Sequence, residues 1–142
     1  MRYHVSCDFS TLYPADYETL SAKAQTLGSG LMSFYDQSPL KARIGDSRLA
    51  RRLQDAIEGE ILFDAFDRGR YSTDASIYQV EPIGVVIPRT EEDLSKIIAV
   101  AADEEVPILP RGAGTSQSGQ TVGLALVVDV SKYLNRIVEL DV

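Results

Sequence analysis

The sequence has very few of the residues that build metal sites and disulfides. It contains one cysteine, Cys7, and one histidine, His4, so an internal disulfide is excluded. A structural zinc site needs four ligands, and these two side chains supply only half of them. We therefore expect no metal ion and no oxidising compartment. The predicted location is the cytoplasm, with peripheral association at the inner face of the membrane as a variant.

Long apolar runs and an excess of positive charge are also missing. No stretch of about 18 apolar residues occurs, and residues 1–10 lack the apolar run of a signal peptide, which disfavours a membrane span and export. Lysine and arginine number 14 against 21 acidic residues, which gives a formal net charge of −7. Because this charge repels the phosphate backbone of nucleic acid, we expect no nucleic-acid partner.

The hydrophobic pattern divides the chain into a helical N-terminal part, residues 1–60, and a strand-and-helix part, residues 61–142. One helix is predicted where apolar residues recur at helical spacing before Gly28, at Tyr17, Leu20, Ala24 and Leu27. A second helix has Asp46 or Ser47 as its N-cap and ends at Gly59, with Leu49, Leu53 and Ile57 on one face.

Three arginines on the second helix, Arg48, Arg51 and Arg52, allow two interpretations. They could form a binding patch. Acidic neighbours, Asp46, Asp55 and Glu58, favour instead a solvated face of ion pairs.

In the second part, the pattern predicts a β-α-β unit followed by two further strands. The strands are predicted at residues 83–87, 106–109, 124–130 and 136–142, and the first two are expected to be parallel with a right-handed crossover. Thr90 is the predicted N-cap of the intervening helix and Asp93 its capping-box carboxylate. The predicted core face of that helix is Leu94, Ile97, Ile98 and Ala101. Since a domain rarely stops in mid-strand, we expect the chain to be the first part of a longer protein.

The connection between the second and third strands, residues 110–123, is rich in glycine, hydroxyl and amide side chains; we call it the glycine-rich loop. Glycine permits positive φ and close approach of the backbone, so that successive N–H groups can bind phosphate oxygens. A flexible connection without a ligand has a similar composition and remains the alternative.

Two common nucleotide motifs do not fit this loop. A Rossmann fingerprint needs glycine where the chain has Gln117, and a Walker A loop needs lysine where it has Gln120. Both motifs also need a helix after the loop, whereas residues 124–130 are typical of a strand. A P-loop-like nucleotide-binding protein and a non-catalytic interaction module remain the alternative functions.

Several motifs taken together resemble one family. They are Gly-Glu-Ile-Leu-Phe-Asp at 59–64, Tyr-Ser-Thr-Asp-Ala-Ser at 71–76, Val-Pro-Ile-Leu-Pro-Arg-Gly-Ala-Gly-Thr-Ser at 106–116, Ser-Gly-Gln at 118–120 and Val-Val-Asp-Val-Ser-Lys-Tyr-Leu-Asn-Arg-Ile at 127–137. This combination resembles the FAD-linked oxidases of the p-cresol methylhydroxylase and vanillyl-alcohol oxidase type. The similarity is greatest to the branch of D-lactate dehydrogenases and the glycolate oxidase flavin subunit, particularly its long members with a C-terminal iron–sulfur part.

The resemblance implies an α/β (α+β) fold, in which N-terminal helices precede a small β-α-β-β-β FAD-binding subdomain of the p-cresol methylhydroxylase type. It assigns the FAD pyrophosphate to one set of residues: Arg111, Gly112, Ala113, Gly114, Thr115, Ser116, Gly119 and Gln120. Some relatives attach FAD covalently through a histidine where this chain has Thr115, so the resemblance implies dissociable FAD.

The resemblance also implies the reaction and partners of a complete protein. Hydride would pass from a 2-hydroxyacid such as D-lactate, glycolate or D-2-hydroxyglutarate to the flavin. An electron-acceptor protein and an iron–sulfur cluster are implied beyond this chain. We name no catalytic residue, because the family's substrate groups lie mostly beyond residue 142. A polar cluster, Asp64, Asp67, Arg70, Tyr71 and Asp74, is interpreted as caps and turns rather than flavin neighbours.

Overall fold

A four-stranded sheet is the centre of residues 38–141, the part of the chain that the computed structural model describes. After a 3-10 turn at Pro39–Arg43, the elements are α1 (Ser47–Ala56), β1 (Glu60–Leu62), α2 (Ala65–Arg70), β2 (Gly84–Ile87), α3 (Glu91–Asp103), β3 (Ile108–Arg111) and β4 (Leu126–Asp129). The α/β class is confirmed. The helix predicted over residues 17–27, as well as His4 and Cys7, lies outside the described residues.

The strands lie in the order β1-β2-β4-β3, so β4 is inserted between the two strands of the β-α-β unit. Both β2 and β3 are parallel to β4, and β1 is antiparallel to β2. In this register Arg111 pairs with Asp129 at the carboxyl ends of β3 and β4. The loops that follow the parallel strands therefore leave from one edge of the sheet, the edge at which open α/β sheets generally bind ligands.

The core combines residues of α1 and α3 with the sheet. Asp46 begins α1 by accepting hydrogen bonds from the N–H groups of Arg48 and Leu49, as predicted. Leu49 and Leu53 are fully buried in one cluster with residues of β2 and β4. Helix α1 thus packs with the second part of the chain, and the division at residue 60 stays a prediction.

The ion pairs of α1 have different partners from those predicted. Arg48 and Arg52 both contact the Glu104 carboxylate, at 2.8 and 2.7 Å, and Arg52 also pairs with Asp103. Asp103 is the last residue of α3 and Glu104 follows it, and α3 packs beside α1. The interpretation as an ion-paired face is therefore confirmed for Arg48 and Arg52, but across two helices, which local sequence spacing does not reveal.

The end of α1 also differs from the prediction. Ile57, in an extended conformation, is the C-cap, and Gly59 has no positive φ that would end a helix. A Cβ on Gly59 would instead lie 2.4 Å from the Ile87 carbonyl oxygen. Gly59 is therefore needed for close packing against β2.

Helix α3 begins as predicted, with the Thr90 hydroxyl accepting from the Asp93 N–H at 3.0 Å. The prediction that Asp93 completes a capping box is wrong, however. The buried Asp93 carboxylate accepts from the N–H groups of Arg89 and Glu58 rather than from that of Thr90. Ile97 and Ala101 are buried as predicted, whereas Ile98 is 51% exposed, so its assignment to the core is wrong.

One of the later strands is shifted along the sequence, another is shorter than predicted, and residues 136–141 form no strand. After α3, Glu105 adopts φ 53° and the Val106 N–H bonds to the Ala101 carbonyl, so β3 begins only at Ile108. The strand of residues 124–130 is limited to Leu126–Asp129. The strand predicted at 136–142 is wrong over residues 136–141, which pair with no described strand and leave Ile137 and Val138 exposed.

Candidate functional site

The glycine-rich loop leaves the sheet at the carboxyl end of β3 and returns to the start of β4. Up to residue 141, a strand and no helix follows this loop, which argues against the Walker A and Rossmann motifs. Gly114 and Gly119 have φ values of 69° and 70°, in the region that favours glycine. Ala113 has no positive φ, so its side chain is accommodated there without backbone strain.

A run of five consecutive backbone N–H groups in this loop is free to bind a ligand. Within residues 38–141, these N–H groups donate to no other atom of the protein; they belong to Gly112, Ala113, Gly114, Thr115 and Ser116. Gly112, Ala113 and Thr115 are also exposed. A positive-φ residue within such a run is the pattern of the backbone concavities that bind phosphate.

Two further predicted residues, Ser116 and Gln120, form hydrogen bonds within the loop. The Ser116 hydroxyl oxygen accepts from the N–H groups of Ser118 and Gln120, at 3.3 and 3.2 Å. It also lies 3.5 Å from the Gln120 side-chain oxygen. Ser116 and Gln120 therefore fold the second half of the loop into a turn, and the Gln120 side-chain nitrogen stays without a partner among the described residues.

Arg111 has a different environment from the one its place in the motif suggests. Its guanidinium donates to the carbonyls of Tyr71, Thr73 and Thr121 at 3.3, 2.9 and 3.1 Å. It also lies 5.1 Å from the centre of the Tyr71 ring. The charge thus lies between the glycine-rich loop and residues 71–73.

A second segment, residues 71–78, lies against the loop; we call it the brace. The Ala75 N–H donates to the Gly114 carbonyl at 3.1 Å, and the Thr121 hydroxyl donates to Asp74 at 2.9 Å. Hydrogen bonds from Ser76 and Thr121 lower the pKa of Asp74 to about 2. A Cβ on Gly119 would lie 2.5 Å from the Tyr78 ring, so glycine allows the two segments to touch.

The polar cluster before β2 divides between local and site roles. Asp64 caps α2 by accepting from the Asp67 N–H, and Asp67 pairs with Arg70, as the interpretation of caps and turns requires. Tyr71 and Asp74 instead contact the site, because both belong to the brace. The sequence signal for the brace was weak, since its short polar residues are those of an ordinary turn.

Tyr71 also connects the brace with β4. Its hydroxyl donates to the buried Asp129 carboxylate at 2.7 Å, and the Ser131 hydroxyl and N–H donate to the other oxygen of Asp129. Two causes raise the pKa of Tyr71 to about 12: burial, which has the larger effect, and this hydrogen bond. The neutral tyrosine is therefore part of the folded site.

We predict that Tyr71 ionises near pH 12, whereas free tyrosine ionises near pH 10. Because the folded-state pKa is raised, the Tyr71 contribution to stability is complete below about pH 10 and is lost as the pH rises through the folded-state value. Spectrophotometric titration of tyrosinate, compared with a Tyr71→Phe variant, isolates this group. A difference curve centred near pH 10 would contradict the hydrogen bond to Asp129.

Comparisons with known proteins give several matches. Residues 82–142 match the family described as FAD binding domain. D-2-hydroxyglutarate dehydrogenase of Escherichia coli (strain K12) is 40% identical over 91 residues, which cover 62% of this chain and 9% of that protein. Glycolate oxidase subunit GlcD of Bacillus subtilis is 38% identical over 92 residues, covering 60% and 19%.

Two further matches are a mitochondrial dehydrogenase and a solved structure. The mitochondrial D-lactate dehydrogenase [cytochrome] of Kluyveromyces lactis is 38% identical over 61 residues, covering 40% of this chain and 11% of that protein. Among solved structures, Physcomitrella patens BBE-like 1 aligns with 57% of this chain and 18% of its own at 22% identity and a TM-score of 0.49.

The chain thus spans less than a fifth of the length of these relatives. The matches confirm the resemblance inferred from the motifs and the prediction of FAD as cofactor. No helix within residues 38–141 is long and apolar enough to cross a membrane. Residues 82–142 therefore match the FAD binding domain family, and the chain is similar to D-2-hydroxyglutarate dehydrogenases, a glycolate oxidase subunit and D-lactate dehydrogenases.

Proposed function

We propose that this chain is the diphosphate-binding part of an FAD-dependent 2-hydroxyacid dehydrogenase or oxidase, with the glycine-rich loop holding the FAD pyrophosphate. The observation that carries the proposal is the run of five free N–H groups from Gly112 to Ser116, which includes a positive-φ glycine, Gly114. Backbone N–H groups bind phosphate oxygens without a net positive charge, which suits a chain of formal charge −7.

The residues present fit the cofactor. Gly112, Ala113 and Thr115 are exposed and offer their N–H groups, while Gly114 and Gly119 give the loop its curvature. The Thr115 hydroxyl offers a further neutral donor and no nucleophilic nitrogen, so FAD is held without a covalent bond there. When bound, FAD supplies the two-electron acceptor of the reaction, and the loop supplies orientation.

The substrate is proposed from the relatives. Their names specify D-2-hydroxyglutarate, glycolate and D-lactate, which are all small 2-hydroxyacids. We assign no catalytic residue within residues 38–141. An electron-acceptor protein, an iron–sulfur cluster and the cytoplasmic location stay predictions.

Binding of FAD to the 142-residue chain tests the proposal directly. We expect FAD to bind weakly, with a Kd of roughly 10 µM to 1 mM, because diphosphate contacts alone have to offset the entropic cost of association. Flavin fluorescence follows the titration, and ADP, which carries the same diphosphate, should compete with FAD.

Riboflavin is the matched control, because it carries the same ring system without any phosphate. We expect no riboflavin binding at concentrations where FAD binds. Equal affinity for riboflavin and FAD would contradict a diphosphate site, and no FAD binding at millimolar concentration would contradict the proposed function. Turnover of a 2-hydroxyacid by the chain itself would show that the catalytic groups lie within it.

A further inference from the structure

The Arg111 guanidinium connects three separate pieces of backbone. Its Nη1 donates to the carbonyls of Tyr71 and Thr121, and its Nη2 donates to the carbonyl of Thr73. Tyr71 and Thr73 belong to the brace, whereas Thr121 lies near the far end of the glycine-rich loop. A planar fork of donors is the side chain best suited to such a set of acceptors.

The loop is fitted closely around this side chain. A Cβ on Gly114 would lie 2.5 Å from the Arg111 Nη2. The Gly114 carbonyl accepts from the Ala75 N–H, so Gly114 lies close to the guanidinium and is also hydrogen-bonded to the brace. The position of the free N–H groups therefore depends on where Arg111 is held.

We propose that Arg111 is a positioning residue for the phosphate-binding N–H groups and not itself a phosphate ligand. This inference rests on the proposed function of the loop and revises the role that the sequence motif gave to Arg111. Two of the three carbonyls that accept hydrogen bonds from the guanidinium belong to the brace, so Arg111 holds the loop against the brace. Both terminal nitrogens, Nη1 and Nη2, donate to carbonyl oxygens of the protein.

The two roles make opposite predictions for Arg111→Lys. Lysine keeps the charge that a phosphate ligand needs but cannot contact three carbonyls with a planar fork. We expect Arg111→Lys and Arg111→Gln to weaken FAD binding alike, by about tenfold to a hundredfold, because each loses hydrogen bonds made by a charged group. Arg111→Lys with near-wild-type affinity, beside a large loss in Arg111→Gln, would overturn the proposal.

Arg89→Gln is the matched control for the loss of one positive charge. The Arg89 guanidinium also lies 5.1 Å from the centre of a tyrosine ring, that of Tyr133. It makes no hydrogen bond to the loop or the brace among the described residues. We expect FAD affinity within about twofold of wild type for this variant, since a screened surface charge acts weakly at a distance.

Hydrogen exchange of the Ala75 amide reports positioning without any ligand. We expect this amide to be protected in the wild-type chain and to lose protection in both Arg111 variants, but not in Arg89→Gln. Unchanged Ala75 protection in Arg111→Gln would overturn the proposal. A wild-type chain that binds no FAD would instead reject the proposed function, while the exchange experiment would still decide the role of Arg111.

A measurement on the wild-type chain avoids the danger that a variant fails to fold. Pyrophosphate is titrated while NMR follows the amides of residues 112–116 and the side-chain nitrogens of Arg111. We expect the amides to shift and the guanidinium signals to stay nearly constant. Guanidinium shifts as large as those of the amides would identify Arg111 as a direct phosphate ligand and overturn the proposal.

Discussion

Replacing Gly114 with valine should raise the Kd for FAD by about tenfold to a hundredfold, because strain of roughly 1–3 kcal/mol opposes the loop conformation. Gly114 has φ 69°, which a β-branched residue strongly resists. The added Cβ would also lie 2.5 Å from the Arg111 Nη2. Titration of FAD against the variant, with flavin fluorescence as the readout, measures the effect.

Gly112→Ala is the control for this substitution within the same loop. Gly112 has no positive φ, and a Cβ at this position would meet no atom within 4 Å. The free energy of unfolding of the Gly112→Ala variant should therefore stay within about 0.5 kcal/mol of the wild-type value, as for most surface substitutions. A Gly114→Val variant with the FAD affinity of wild type would show that the loop does not need its left-handed residue to bind the cofactor.

The helix starts could be predicted because their signals are local. Asp46 and Thr90 precede apolar residues at helical spacing, and both side chains accept the expected backbone N–H groups. The strand boundaries depend on events outside each strand. β3 begins late because Glu105 and Val106 are still closing α3, and nothing in a short apolar run reveals that.

The last predicted strand shows the limit of periodicity more clearly. Residues 136–141 have the apolar residues of a strand, but a strand exists only when another one supplies its hydrogen bonds. Within the described residues neither sheet edge pairs with this segment. Pattern alone cannot supply a pairing partner, so the prediction was wrong there.

The loop itself could be predicted from composition, whereas the role of Arg111 could not. Glycines and small polar residues between two strands indicate a backbone site, and two of these glycines have the positive φ that such a site requires. Two of the three carbonyls that accept from Arg111 belong to Tyr71 and Thr73, which lie 40 and 38 positions earlier in the chain. Any residue type supplies a backbone carbonyl, so the sequence carries no signal for that contact.

The adjacent isoleucines of α3 give the sharpest test of the packing, because the sequence predicted both to be in the core. Ile97 is fully buried, and Ile98 is 51% exposed. Successive helical residues point about 100° apart, so a broad apolar face can include both in a sequence pattern when only one meets the sheet.

Ile97→Ala should therefore lower the free energy of unfolding by about 2–5 kcal/mol, since it removes buried methylene groups and leaves a cavity. Ile98→Ala should change it by no more than about 0.5 kcal/mol, because the exposed side chain loses little contact and alanine favours the helix. The first loss is a large part of the roughly 5–15 kcal/mol that stabilises a typical domain, so Ile97→Ala should unfold at much lower urea concentration. Equal urea midpoints for the two variants would mean that α3 packs on the sheet through a different face. The positions of Thr90 and of the sheet edge beside the glycine-rich loop would then be different as well.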